Sequence, residues 1–340
     1  MRASVIIRSK DEADRLRLTL ASLASQTEKP EVVVVNDGSS DDTAKVIGEA
    51  ASEMDLIAIH HAKPAGRSAA ANAGATKAKG DILLFLDGDT LAAPDLVARH
   101  MEKHRLFPNL VVRGETWHLR CTRPFRNPES GSPRPGEESK VARLPEKERT
   151  QSLVTREQIR NDFQAIDRRG QAGIYQGFGP RRLFELEMEA LNDHPESTVL
   201  WVAASGSNQS MSRAVFLETG GFHPEITINE HRELALRLCQ NGLRMAPTPG
   251  RTYHMLHRAG WRDPLQDTEW EQIFYNAHPL AEVALLPFFW GSLSDPVPFP
   301  AEAAIRSIPE LGATAERYRG IVGLKSVRDA HLEATLARQV

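Results

Sequence analysis

The chain has only two cysteines among its 340 residues, Cys121 and Cys239. That is too few for a disulfide framework or a cysteine-built zinc centre, and it suits a reducing, cytoplasmic setting. A long apolar run is also missing. The longest stretch, Val283 to Trp290, is interrupted by Pro287 and falls far short of the ~20 residues that a membrane-spanning helix needs. No charged segment followed by a long apolar core lies behind Met1, so an export signal is not expected. Contact with a bilayer would then be peripheral, at the inner face of the membrane. Charge of one sign is scarce as well. A formal net charge of -3 and a pI near 6.5 argue against a nucleic-acid partner or a general polyanion binder. A hydrophobic fraction of 41% is ordinary for a globular enzyme and argues against disorder.

What is present, over the first hundred or so residues, is an alternation of strand and helix signals, the pattern of a sheet flanked by helices. Ala3 to Ile7 reads as a buried strand, and Glu12 to Ser25 carries leucines at 16, 20 and 23 in a helical stripe. Glu31 to Val35 is a second buried strand, followed by the turn Asp37-Gly38-Ser39-Ser40-Asp41-Asp42 and a helix from Thr43 to about Glu53. Leu56 to Ile59, Ser68 to Lys79 and Asp81 to Leu86 continue as strand, helix and strand, and Pro94 opens a helix to about His104. Cys121 to about Thr150 shifts to Pro, Gly, Ser, Glu and Arg, which predicts a surface loop or poorly ordered insertion. Gln151 to Leu191 looks helical in two pieces, Thr198 to Ala203 resembles a return strand, and Arg213 to Gly220 and Glu230 to Gln240 read as helices.

Open α/β sheets bind ligands beyond the carboxyl ends of their strands. Asp37 and Asp87 each fall at such an end, and each is followed by glycine. Either one taken alone is equally at home in a turn. Together with Asp89 they suggest a site. A carboxylate pair on a rigid strand end, with Gly88 allowing close approach, is a fitting cradle for a hard divalent cation.

These segments resemble glycosyltransferase family 2. The opening Ala3-Ser4-Val5-Ile6-Ile7 through Asp11-Glu12 is similar to that family's first strand and loop. Val33-Val34-Val35-Asn36-Asp37-Gly38-Ser39-Ser40-Asp41-Asp42-Thr43 is close to its nucleotide-binding signature. Gly66-Arg67-Ser68-Ala69-Ala70-Ala71-Asn72-Ala73-Gly74, Lys79-Gly80-Asp81 and Leu84-Phe85-Leu86-Asp87-Gly88-Asp89 complete the match, in the family's order and spacing. The resemblance is good over about residues 3 to 105 and partial over about 200 to 257. It implies the GT-A fold, a Rossmann-like, mixed but mostly parallel sheet flanked by helices, here with a helical insertion and a C-terminal extension. It implies a donor-binding half over 1–120, an insertion over 121–197, an acceptor and catalytic half over 198–258, and an extension over 259–340.

The activity implied is transfer of a sugar from a UDP- or GDP-linked donor to a carbohydrate, lipid-linked or other hydroxyl acceptor. The donor-binding set is then Arg8, Ser9, Glu12, Asp37, Arg67, Asn72, Asp87 and Gly88, with Asp37 accepting from the base. The family's arginine just before Asn72 is Ala71 here, and Arg67, at the start of the same helix, is the substitute. Asp89 would hold Mn2+ or Mg2+ directly, and Asp87 would contact the ribose or reach the metal through water. From Tyr253-His254-Met255-Leu256-His257 a third ligand is expected, His257 by preference and His254 as fallback.

The second half departs from the pattern. Where inverting members carry Glu-Asp, with the aspartate as general base, this chain reads Asn229-Glu230-His231-Arg232-Glu233-Leu234. A histidine can deprotonate a hydroxyl, so the base is His231 or Glu230. A retaining reaction would need neither. Trp201, Gly206, Gly221 and the pair Arg181-Arg182 are acceptor-side candidates, and the insertion is a candidate acceptor lid or homo-oligomer contact. Between Arg99 and Arg126 seven Lys or Arg face only Glu102 and Glu115, an excess that suits an anionic acceptor, a lipid surface or simply a solvated face. A sugar-phosphate nucleotidyltransferase would show a glycine-rich loop after the first strand, and Arg8-Ser9-Lys10-Asp11-Glu12 has no glycine. A non-catalytic relative with a decayed site is the rival of a different class.

Overall fold

The computed structural model describes residues 1–172, 183–257 and 268–337. It divides into two compact units. The first comprises Met1–Ala172, Ser205–Gly221 and Thr248–Gly260. Its strands are β1 (Ala3–Ser9), β2 (Glu31–Asp37), β3 (Leu56–His61), β4 (Ile82–Asp87), β5 (Thr90–Ala92), β6 (Leu110–Leu119), the small hairpin β7 (Phe125–Asn127) and β8 (Ser132–Pro133), β9 (Gln171–Ala172), β10 (Gln209–Ser212), and β11 (Arg244–Met255), which joins this unit from Thr248 onward.

Among the described residues the main sheet runs β3-β2-β1-β4-β10-β6-β11-β5, with β9 on β6. The pairs β1–β2, β1–β4 and β2–β3 are parallel, while β10 is antiparallel to β4 and β6, and β11 to β5. The sheet is therefore the expected mixed one, with its parallel half at the N-terminal end. Val32, Val33, Val34 and Val35 are all buried, because a parallel strand covered on both faces has no solvent side to alternate with. Helices α1 (Ala13–Ala24), α2 (Thr43–Ala51), α3 (Arg67–Lys77) and α4 (Leu96–Leu106) follow β1, β2, β3 and β5. Leu16, Leu20 and Leu23 of α1 pack with Val5, Ile7, Val32, Val34, Leu84 and Leu86 in one core.

Three expectations are corrected. Pro94 lies just before α4 rather than in its first turn, since the helix starts at Leu96 with Asp95 at its N-cap. The segment after Cys121 is no loose loop. Thr122 and Phe125 are wholly buried, and the stretch folds into the β7–β8 hairpin and short helices (Glu138–Ala142, Glu146–Ser152, Arg156–Asn161 and Phe163–Asp167). Thr198–Ala203 is no strand: Leu200–Ala203 forms a short 3₁₀ helix, and the strand that returns to the sheet is the polar β10. The excess of basic residues before Arg126 is also locally answered. Arg99 pairs with Asp95, Arg105 with Glu28 and Arg126 with Asp14, and Arg113 is buried.

The second unit contains, among the described residues, helices Leu183–Asp193, Glu230–Gln240, Glu269–Ala277, Ala281–Gly291, Ile308–Glu316 and Leu324–Leu336. The sequence expected as one insertion, 121–197, is thus shared between the two units. Pro287, which interrupts the longest apolar run, sits inside a buried helix. No described helix is long and apolar enough to cross a membrane.

Candidate functional site

In the first unit the carboxyl ends of β1, β2 and β4 bring Ser9, Asp37 and Asp87 to one edge of the sheet, in parallel register. Arg8 donates through Nε to Asp87 Oδ1 at 3.2 Å and through Nη2 to the Gly206 carbonyl at 3.4 Å. The Asp87 amide donates to Ser207 Oγ at 3.1 Å. Gly88 is required here: a Cβ would lie 2.9 Å from Ser9 Oγ and 3.0 Å from Ser9 Cβ. Asp89 then turns inward and is only 6% exposed.

Beside Asp89 stand two imidazoles. His254 Nε2 lies 3.1 Å and His257 Nε2 2.8 Å from Asp89 Oδ2. Ligand atoms of the three residues lie within 4.8 Å of one another, close enough to share one ion. Burial pushes the Asp89 carboxyl up, but the adjacent His254 and His257 outweigh it and hold the group well below the usual carboxylate range. Burial lowers His254, while Asp89 more than restores it and leaves the imidazole above its ordinary value. Glu12 Oε1 is 3.8 Å from His257 Nε2. Burial first, then Asp89 and Asp87, push the Glu12 carboxyl up to about 9, with Arg15 and Arg67 opposing. Behind His254, the buried His118 places its Nδ1 at 3.3 Å from His254 Nδ1. One carboxylate and two imidazoles suit Mn2+ or a similar borderline ion better than calcium. The sequence left His254 as a fallback to His257, whereas the fold brings both to Asp89. Asp87 pairs with Arg8 instead and is not in that cluster.

Asp37 gathers the loop before α3. Its Oδ1 accepts from the Ala65 amide at 2.8 Å and lies 2.7 Å from His61 Nδ1, and its Oδ2 accepts from the Gly66 amide at 3.0 Å. Burial raises this carboxyl, and the two amides and His61 together bring it below its ordinary value. The loop so held delivers Arg67, exposed, as the first residue of α3. Further along α3, Asn72 faces Gly221, whose φ is +69° and where a Cβ would meet Asn72 Oδ1 at 2.5 Å. Gly206 and Gly221, expected on the acceptor side, therefore pack against the donor-side residues Arg8 and Asn72.

The second unit holds the base candidates. Asn229, at φ +64°, precedes the helix that starts at Glu230. Glu230 is buried, and its Oε2 is 3.6 Å from His231 Nδ1. His231 Nε2 is 2.6 Å from Arg232 Nη1, and Arg232 in turn pairs with Glu187 at 2.8 Å and stacks over Trp290 at 4.5 Å. Trp201 is wholly buried against Phe274, with ring centroids 5.9 Å apart, so it offers an acceptor no open surface in this conformation. Arg181 and Arg182 lie outside the described residues. In the first unit, sequence reasoning passed over Arg15, Thr19, His118 and Ser207, which contact the segments that carry Asp87, Asp89, His254 and His257. Only Ser207 had a signal near it, as the neighbour of the acceptor-side candidate Gly206.

Comparison with known proteins bears on the family and the fold. Residues 4–169 match the model of Glycosyl transferase family 2. An uncharacterized glycosyltransferase, YfnE of Bacillus subtilis (strain 168), is 40% identical over 119 residues, which is 34% of this chain and 30% of that protein. The poly-beta-1,6-N-acetyl-D-glucosamine synthase of Staphylococcus aureus (strain MSSA476) is 34% identical over 101 residues, 29% of this chain and 24% of that protein. The chain thus matches under a third of the length of these curated relatives. Among solved structures, S. aureus TarS 1-349 in complex with UDP aligns over 100% of this chain and 92% of its own, with a TM-score of 0.54 at 14% identity. The mannosyltransferase PcManGT of Pyrobaculum calidifontis, in complex with GDP-Man and Mn2+, aligns over 99% and 80%, with a TM-score of 0.50 at 17% identity. Residues 4–169 thus match glycosyltransferase family 2, and the chain has the GT-A fold of these structures.

Proposed function

We propose that this chain is a family 2 glycosyltransferase that takes its sugar from a UDP- or GDP-linked donor held in the first unit, with a divalent cation on Asp89, His254 and His257, and passes it to a hydroxyl acceptor. The observation that carries the reading is the meeting of those three side chains beside the strand ends that bear Asp37 and Asp87. Mn2+ or Mg2+ bound there would neutralise the diphosphate as it becomes the leaving group. Asp37 accepts from the nucleotide base. Asp87 and Gly88, braced by Arg8 and Ser9, receive the ribose side, and Glu12 borders the diphosphate pocket. Arg67 and the first turn of α3 face the diphosphate, where a guanidinium fork and the positive end of a helix both favour an anion. Asn72 borders the same pocket.

For the base we propose His231 or Glu230, in an inverting reaction. Arg232 donates to His231 Nε2 and occupies the lone pair a base would use, which gives a second reading its weight. In that reading Glu230 is the base, or the reaction is retaining and the departing phosphate accepts the proton. Trp201, Gly206 and Gly221 contribute to acceptor binding only indirectly, through packing. Incubation with a panel of UDP- and GDP-sugars plus Mn2+ tests the central claim. Release of one nucleotide, suppressed by a chelator, is expected. Neither binding nor turnover of any donor across the panel would overturn it.

A further inference from the structure

Helix α1 reaches both segments that carry the cation ligands, through two side chains that the donor chemistry does not use. Thr19 Oγ1 donates to the Gly88 carbonyl at 2.9 Å, and Gly88 separates Asp87 from Asp89. One turn earlier, Arg15 donates through Nε to the Met255 carbonyl at 3.3 Å, and Met255 lies between His254 and His257. The Met255 amide donates to the Asp89 carbonyl at 3.0 Å and closes the pattern. Thr19 is wholly buried and Arg15 is 6% exposed. The rest of the Arg15 guanidinium is fixed by the carbonyls of Phe125 and Arg126, at 2.8 and 2.9 Å. Residues four apart share a helix face, so both bonds leave α1 on one side. Glu12, which caps the same helix, approaches His257.

A carbonyl next to a ligand residue fixes the peptide plane on which that residue's side chain hangs. Holding the Gly88 and Met255 carbonyls from one rigid helix sets the separation between the Asp89 carboxylate and the two imidazoles. We propose that Thr19 and Arg15 are positioning residues for the cation site, so that α1 is the template on which the Asp-His-His cluster is assembled. This rests on reading Asp89, His254 and His257 as cation ligands. Outer partners of metal ligands commonly contribute 10- to 100-fold, roughly, to metal affinity. A merely structural role would instead lower stability and leave affinity unchanged in the folded protein.

The test is titration calorimetry with Mn2+ on the wild type, Asp89→Asn, Thr19→Val, Thr19→Ser and Arg15→Lys, each shown to be folded by its melting curve. Thr19→Val keeps the shape and removes the donor, and is expected to weaken Mn2+ binding about 10-fold or more. Thr19→Ser keeps the hydroxyl and should restore wild-type affinity. Arg15→Lys loses the fork and should weaken binding in the same way. Wild-type affinity in folded Thr19→Val overturns the positioning role alone. Equal binding by the wild type and Asp89→Asn, or none by either, overturns the ligand assignment and the positioning role with it.

Discussion

Arg8 holds Asp87 through a 3.2 Å hydrogen bond from Nε to Oδ1, while its Nη2 reaches the Gly206 carbonyl 198 residues away in sequence. One guanidinium thus ties the Asp87 carboxylate to the loop that precedes β10. A lysine cannot make both bonds from one planar group. Arg8→Lys should weaken nucleotide-sugar binding about 10-fold, the size of one charge-assisted hydrogen bond, as read by calorimetry with whichever donor is turned over. Undiminished affinity would show that Asp87 needs no brace.

Asp89→Asn leaves shape nearly unchanged and removes the charge that faces His254 and His257. Mn2+-dependent donor binding should be lost, while any cation-independent nucleotide binding survives. Retained Mn2+ dependence would move the cation elsewhere.

How far the sequence announces this site depends on where its residues get their neighbours. Val32 to Val35 and Ile82 to Asp87 were legible because buried parallel strands are apolar throughout. Asp37 and Asp87 were legible because they end such strands, and Asp89 because it follows Asp87 across one glycine. Leu200-Trp201-Val202-Ala203 misled, since four buried apolar residues look alike as strand or 3₁₀ helix. The true return strand was disguised by its polarity. Ser210 Oγ lies 2.7 Å from His100 Nδ1 and 2.8 Å from His104 Nε2, partners that no local pattern reveals. Arg15 and Thr19 read as the polar side of an amphipathic helix, and only tertiary packing buries them.

Those two histidines carry a pH signature. Burial pushes His100 down to about 3, helped by His104 and Arg113 against the Asn208 bond, and burial alone brings His104 to about 4. Both are neutral when folded, whereas the unfolded chain protonates them below its value of 6.5. Their contribution is complete above pH 6.5 and is lost as pH falls towards 4, at about 1.4 kcal/mol per pH unit for each histidine. Urea unfolding between pH 7 and 5 should show this slope, and His100→Asn should remove about one proton of it. A slope unchanged by that substitution would mean His100 is protonated in the fold.

Gly221 pairs a φ of +69° with the close approach of Asn72. Gly221→Ala should cost about 1–2 kcal/mol in unfolding free energy, mostly from the left-handed backbone. It should also raise the donor KM more than it lowers kcat, because Asn72 must move. Equal loss in both constants would place Gly221 at the chemical step.

His231→Ala and Glu230→Gln separate the two base readings. The true base should cost 10²–10⁴-fold, roughly, in kcat with donor affinity kept. If neither variant slows turnover, NMR of the first-formed product should show a retained anomeric configuration.

The position of β10 has a consequence for how the protein is made. This strand, Gln209–Ser212, is the neighbour that covers β4 on the side away from β1. Until the ribosome has produced it, the apolar run Ile82 to Leu86 presents an open sheet edge, though β1 to β4 are already complete. Domains otherwise begin folding from the N-terminus during synthesis, and an uncovered apolar edge is an invitation to pair with other nascent chains. Between translation of residue 87 and residue 212 that edge therefore stays uncovered, and a fragment ending at residue 169 would carry it permanently.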